Sequence, residues 1–201
     1  MSFSSVFPPR RGRSHEATGP GAPAFAAILC GMGQAALWLV EDWRGEALNP
    51  QGLAPFCDPD RLIVVHAADQ TEMLAAMEEA LRSGAVDTVV AELSRPLGLT
   101  EGRRLQLAAE AGRSLGLCLI AEGAGSNAAE TRWHCAPVFD PVFDPAADPT
   151  AEPEGADSTL QDWTLKKNKS GTLGAWRVRW DGEAGRVIVV SKPGERPGAA
   201  P

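Results

Sequence analysis

The side chains with chemistry to offer in this sequence are three histidines, four cysteines, and a run of tryptophans and basic residues toward its end. His15, His66 and His134 have no Gly-x-Ser-x-Gly nucleophile setting around them and no histidine and carboxylate spacing that would clamp a metal. Each is read as structural, because a lone histidine beside a strand commonly satisfies a backbone or hydroxyl partner. Cys30, Cys57, Cys118 and Cys135 lie far apart without a Cys-x-x-Cys pair, and only Cys135 has a histidine beside it. They are expected to be buried, reduced thiols acting as small hydrophobes. Between residues 165 and 192, Lys166, Lys167, Lys169, Arg177, Arg179, Arg186 and Lys192 outnumber Asp181 and Glu183. Trp176, Arg177, Arg179 and Trp180 would make an aromatic and cationic patch. The alternative is that Trp133, Trp163, Trp176 and Trp180 fill a sheet face while the bases are solvated.

The elements that must carry these residues follow from periodicity. Residues 22–30 are apolar, with Pro23 suited to a helix first turn and Gly31 to its end, and residues 34–40 read as a buried strand. Strands over 62–66, 88–92 and 117–121 alternate with helices over 71–83 and 100–114. Asp69 with Glu72 and then Gly84 punctuate the first of these helices, and Thr100 and Gly116 the second. Met73, Leu74, Met77, Ala80 and Leu81 form one apolar stripe, as a helix packed on a sheet requires. Strands joined by helices of this length run parallel, with helices on both faces. After residue 124 the pattern changes to strands over 132–136, 163–169, 174–180 and 186–190 with short turns, which implies an antiparallel extension. Prolines at 137, 141, 145, 149 and 153, among seven acidic residues between 137 and 162, mark a loose acidic loop in which Phe139 and Phe143 could anchor a partner.

The α/β fold class is thus a mainly parallel central sheet with flanking helices and an antiparallel C-terminal extension. Residues 1–11 are expected as a flexible lead-in, 12–190 as the core with the acidic loop (137–161) inserted, and 191–201 as a flexible tail. The 201-residue length suits one domain. The longest apolar run, 22–40, is broken by Gly31, Gly33 and Gln34, and no basic-then-apolar leader precedes the early arginines, so no membrane segment and a cytoplasmic location are expected. A net charge of −7 weighs against generic nucleic-acid binding, which draws its affinity from phosphate neutralisation.

Four stretches carry a family resemblance when taken in order: residues 12–20 (Gly-Arg-Ser-His-Glu-Ala-Thr-Gly-Pro), 47–50 (Ala-Leu-Asn-Pro), 82–92 (Arg-Ser-Gly-Ala-Val-Asp leading into Thr-Val-Val-Ala-Glu) and 165–169 (Leu-Lys-Lys-Asn-Lys). Their order and spacing resemble the RecA recombinase core over roughly residues 12–190, and most closely the ImuA family of SOS mutagenesis accessory proteins. The resemblance places the phosphate loop at Gly19-Pro20-Gly21-Ala22-Pro23-Ala24-Phe25. Such a loop needs backbone amides to wrap phosphates, a lysine to neutralise them and a hydroxyl to hold magnesium. Here lysine and hydroxyl are missing, Pro20 and Pro23 remove two amides, and Phe25 brings bulk. Glu92 falls at the Walker B position, while Glu41, Asp42 and Glu46 fall near the catalytic glutamate without a one-to-one match; all four are read as solvent-facing carboxylates. The second DNA loop is reduced to residues 122–127, which hold no lysine or arginine. Residues 1–11 do not resemble the RecA polymerisation arm, so assembly into a RecA-like filament by that route is not expected.

What the resemblance implies is a protein without catalytic residues, metal or cofactor, working by partner binding. The implied partners are an ImuB-like inactive Y-family polymerase homologue and an error-prone replicative-type polymerase in the same complex, with RecA as a further contact and with weak or no direct nucleic-acid binding. Lys166, Lys167, Lys169, Trp176, Arg177, Arg179 and Trp180 are the foremost candidates for the partner surface, ahead of the acidic loop and the tail. The alternatives are a residual nucleotide binder or slow ATPase using Glu92, and a nucleic-acid-binding module using the basic late strands.

Overall fold

The computed structural model describes residues 2–45, 48–138 and 159–191. After a short 3₁₀ turn at Phe3–Ser5 come β1 (Arg13–Thr18), α1 (Ala22–Gly31), β2 (Ala36–Glu41), a 3₁₀ turn at Asp42–Arg44, α2 (Pro50–Leu53) and a 3₁₀ turn at Pro59–Arg61. They are followed by β3 (Leu62–Ala67), α3 (Gln70–Ser83), β4 (Thr88–Glu92), α4 (Leu99–Gly112) and β5 (Leu115–Leu119). The chain then forms β6 (Thr131–Pro137), β7 (Gln161–Asn168), β8 (Gly174–Asp181) and β9 (Arg186–Ser191). The nine described strands make one sheet, ordered β3-β2-β4-β5-β1-β6-β7-β8-β9. Strands β1 to β6 pair in parallel, and β6 to β9 pair antiparallel.

Local punctuation explains the helices. The Asp69 carboxylate accepts from the amides of Thr71 and Glu72 at 2.7 and 2.9 Å, Glu72 reaches back to the Ala68 amide at 2.7 Å, and Gly84 closes α3 at φ +67°. Those amide bonds hold the Asp69 carboxyl below its ordinary value. The end of α4 differs from the expected 114, because Arg113 makes the left-handed turn at φ 56° and Gly116 sits inside β5. The reason is tertiary: Gly112 lies so close to the Leu81 carbonyl that a Cβ would stand 1.9 Å from it, so the helix ends where it meets α3.

Two cores form, one on each face. On one face α1 and the N-terminal segment cover Ala17, Trp38, Val40, Leu117, Trp133, Trp163, Trp176 and Val178. On the other, α3 and α4 cover Leu39, Val89, Ala91 and Cys118 with Met73, Met77, Leu81 and Leu105. All four cysteines are buried free thiols, and burial pushes their pKa values up.

The expectation of a flexible lead-in over residues 1–11 is corrected for the described part. Phe7 is buried and stacks on Phe3 with centroids 5.0 Å apart, while meeting Trp163 at 5.1 Å; Phe3 also meets Trp176 at 5.5 Å. The Arg11 guanidinium pairs with Asp87, which also accepts the Gln34 amide at 2.6 Å, and the amide bond and then the guanidinium hold the Asp87 carboxyl below its usual range. His15 fastens the same segment: its Nε2–H donates to the Arg10 carbonyl at 2.9 Å, so Nδ1 accepts from the Thr131 hydroxyl at 2.7 Å. Most of the acidic Pro-rich loop (139–158, with Phe139 and Phe143) and residues 192–201 of the tail lie outside the described residues.

Candidate functional site

The turn after β1 is where a phosphate grip would form in a fold of this kind, and here it is closed against the neighbouring strands. Gly19 adopts φ +86°, and a Cβ on it would stand 2.5 Å from the Cys135 carbonyl oxygen in β6. The Gly21 amide donates to that same oxygen at 2.9 Å, the Ala22 amide to Gly19 O at 3.0 Å, and the Phe25 amide to Gly21 O at 3.0 Å. A Cβ on Gly21 would stand 2.6 Å from Gln161 Oε1. Gly21 and Ala22 are buried, and Phe25 is wholly buried with its ring 4.8 Å from that of Trp163 and 5.5 Å from that of Trp133. Pro20 and Pro23, which carry no amide hydrogen, are the exposed members of the turn. The glycines thus permit close approach of β6 and β7, and the amides of Gly21, Ala22 and Phe25 are spent on carbonyls of the protein itself.

Glu92, at the C-terminal end of β4, is engaged on both oxygens. Oε1 accepts from Trp38 Nε1 at 2.8 Å and Oε2 from Arg44 Nη1 at 3.0 Å. This ties the turn after β2 to β4, so the side chain positions Arg44 instead of standing free in solvent as expected. Glu41 also departs from the solvent-facing reading: it is 4% exposed, and its Oε2, like Arg44 Nε, has no hydrogen-bond partner among the described residues. Asp42 is exposed, 3.4 Å from His66 Nδ1, and Glu46 lies outside the described residues. No three His, Cys, Asp or Glu side chains converge as metal ligands among the described residues.

The aromatic and cationic patch is not assembled. Trp176 and Trp180 are each 8% exposed and belong to the core on the α1 face, with Trp180 Nε1 donating to the Pro55 carbonyl at 2.6 Å. Arg177 and Arg179 alternate with them and so point to the opposite face, where Arg177 forms a two-pronged pair with Asp162 at 2.8 and 3.0 Å and Arg179 is exposed. Lys166 is exposed at a β-bulge, since Arg132 pairs with Lys167 and Trp133 with Leu165. Lys167 Nζ donates to the carbonyls of Ser126 and Asn127 at 3.0 and 2.9 Å, and Lys169 Nζ donates to that of Ala128. Burial, with Lys169 and Arg132 nearby, lowers the Lys167 pKa.

Glu16 is the residue that the sequence reading passed over. It is fully buried in β1, accepting from the Ser126 amide at 2.7 Å and from Arg132 Nε at 2.7 Å. Glu16, Lys167 and Lys169 together strap residues 126–128 onto the sheet, at the end of the stretch 122–127 read as the reduced second DNA loop. The available signal was a carboxylate inside an otherwise apolar strand, which demands a buried partner. On this face β6 to β8 present Arg132, His134, Asp162, Thr164, Arg177 and Arg179, whereas α3 and α4 cover the β1 to β5 half.

Comparison with known proteins agrees with this architecture. Residues 34–116, which run from the approach to β2 into β5, match the family model described as "Cell division inhibitor SulA". Two curated relatives, both called "Protein ImuA" and from two strains of Caulobacter vibrioides (NA1000 / CB15N and ATCC 19089 / CIP 103742 / CB 15), are 33% identical over 148 residues. The match covers 62% of this chain and 59% of each relative, so it spans somewhat over half of their length. Among solved structures, the RadB recombinase superposes with a TM-score of 0.58 at 13% identity, covering 86% of this chain and 89% of that one.

Proposed function

From a chain that is a relative of Protein ImuA with a RecA-like core, we propose a non-catalytic accessory role in a DNA-damage-induced mutagenesis complex. The protein supports error-prone translesion synthesis by binding an ImuB-like inactive polymerase homologue. The observation that carries the non-catalytic part is the closed turn: the Cys135 carbonyl takes the Gly21 amide, and Phe25 is packed between Trp133 and Trp163. A nucleotide would have to displace β6 backbone to be gripped there, without a lysine to repay the displacement. The partner surface is the helix-free polar face of β6 to β8, reached through Arg179 and the bulged Lys166, with the tryptophans beneath as a rigid support. Purified chain is expected to co-purify with an ImuB-like protein, to lose that association in the Lys166→Glu/Arg179→Glu double variant, and to give no saturable heat with ATP and magnesium. Saturable nucleotide binding would remove the non-catalytic part. An unaltered damage-induced mutation frequency after deletion of the gene would remove the role itself.

The SulA match over residues 34–116 supports a second reading, inhibition of cell division. Cell filamentation on induced expression, absent in cells expressing an unrelated protein to the same level, would favour it over the first.

A further inference from the structure

Both edges of the sheet expose successive apolar residues, Val189 and Val190 on β9 and Ile63 and Val64 on β3, but the strands are finished differently. β9 begins at the exposed Arg186 and is set against β8 with a register shift between Arg177 and Val178, the kind of irregularity that discourages further pairing. β3, at the other edge, pairs with β2 through six consecutive registers from Ala36↔Leu62 to Glu41↔Ala67 without interruption. It reads Leu-Ile-Val-Val-His-Ala, with no lysine, glutamate, aspartate or proline to blunt it. Ile63 and Val64 are 54% and 40% exposed, and as successive strand residues they point to opposite faces, so the edge is apolar on both flanks. No further strand pairs with β3 among the described residues.

We propose that β3 is the seam of a two-fold homodimer, in which β3 of one copy pairs antiparallel with β3 of a second and joins two sheets into one. Charge placement selects a second copy as the occupant. Arg61 immediately precedes the strand, 57% exposed and 3.4 Å from the equally exposed Asp58. At the other end Asp42, 62% exposed, lies 3.4 Å from His66. Antiparallel pairing about Val64 sets Leu62 of one copy opposite His66 of the other, which brings Arg61 beside the second copy's Asp42, and symmetry repeats the contact. A parallel partner strand would set like ends together and forfeit both pairs. Trp43, 66% exposed beside Asp42, adds apolar cover at each end. The chain's own N-terminal phenylalanines are committed to Trp163 and Trp176, so that segment does not supply the added strand. A single strand pair falls at the small end of specific interfaces, so the dimer is weak and concentration-dependent.

Sedimentation velocity of the full chain, taken from micromolar concentrations to about 1 mM, is expected to show a monomer–dimer equilibrium. Amide hydrogen exchange across residues 62–67 should slow as concentration rises. Val64→Lys should weaken dimerisation by about ten-fold or more while leaving the circular dichroism unchanged. Arg61→Asp and Asp42→Arg, both surface changes, should each weaken it, and the two together should restore it. A wild-type chain that stays monomeric over the whole range overturns the proposal. So does a dimer that the charge reversals leave untouched, and this arm holds even if Val64→Lys does not fold.

Discussion

The parallel and antiparallel halves of the sheet bury their strands in different ways. In the parallel half, β4 is buried at every position except Glu92, and β5 at every position without exception. In the antiparallel half, β6 and β7 alternate buried and half-buried residues along most of their length. The cause is the covering: helices lie on both faces of β4 and β5, whereas only α1 and the N-terminal segment lie on the second half. The first half is scaffold. The second keeps one polar face, and that is where a partner-binding role has room.

The contrast breaks most visibly at β7. Trp163→Ala, which empties the centre of the aromatic cluster, should lower unfolding free energy by roughly 3–5 kcal/mol, whereas Thr164→Ala, one residue along on the polar face, should stay within about 0.5 kcal/mol. Urea denaturation of both variants reads the difference, and comparable losses would dissolve the contrast. The seam between the halves comes next. Burial lowers the pKa of His15 from 6.5 to about 4. The unfolded chain therefore binds the extra proton first, so the contribution of neutral His15 is fully present above pH 6.5 and is lost as pH falls toward 4. That loss amounts to about 3 kcal/mol, and a His15→Phe variant should flatten the acid limb of a stability-against-pH profile.

A smaller effect tests the closed turn. Gly21→Ala introduces a Cβ against Gln161 and the Cys135 carbonyl group, and should cost about 1–3 kcal/mol by overpacking; a neutral thermal shift would mean that the turn stands open. Smallest is the α3 cap in the scaffold half. Asp69→Ala, which removes the acceptor of the Thr71 and Glu72 amides, should give a modest fall in denaturation midpoint. Because folding holds the Asp69 carboxyl below its unfolded value, the cap's stabilisation is present above the ordinary carboxylate range and fades as pH falls through the folded value.

Much of this was legible in the residues alone. The switch from helix-linked strands to hairpin-linked ones, the Asp69 and Gly84 punctuation, and the lack of lysine and hydroxyl in residues 19–25 are local patterns, and local patterns dictate local structure. The splitting of the late patch was legible in principle, since Trp176, Arg177, Val178, Arg179 and Trp180 alternate, and alternation in a strand sends neighbours to opposite faces. Tertiary structure alone decided the rest. Phe3 and Phe7 dock on tryptophans more than 150 residues away along the chain; no window around the N-terminus contains that partner. Glu16, Arg132 and Lys167 find one another only because β1, β6 and β7 lie side by side. The same strand order leaves β3 at an edge, where a run of apolar residues that composition assigns to the interior stays half in water.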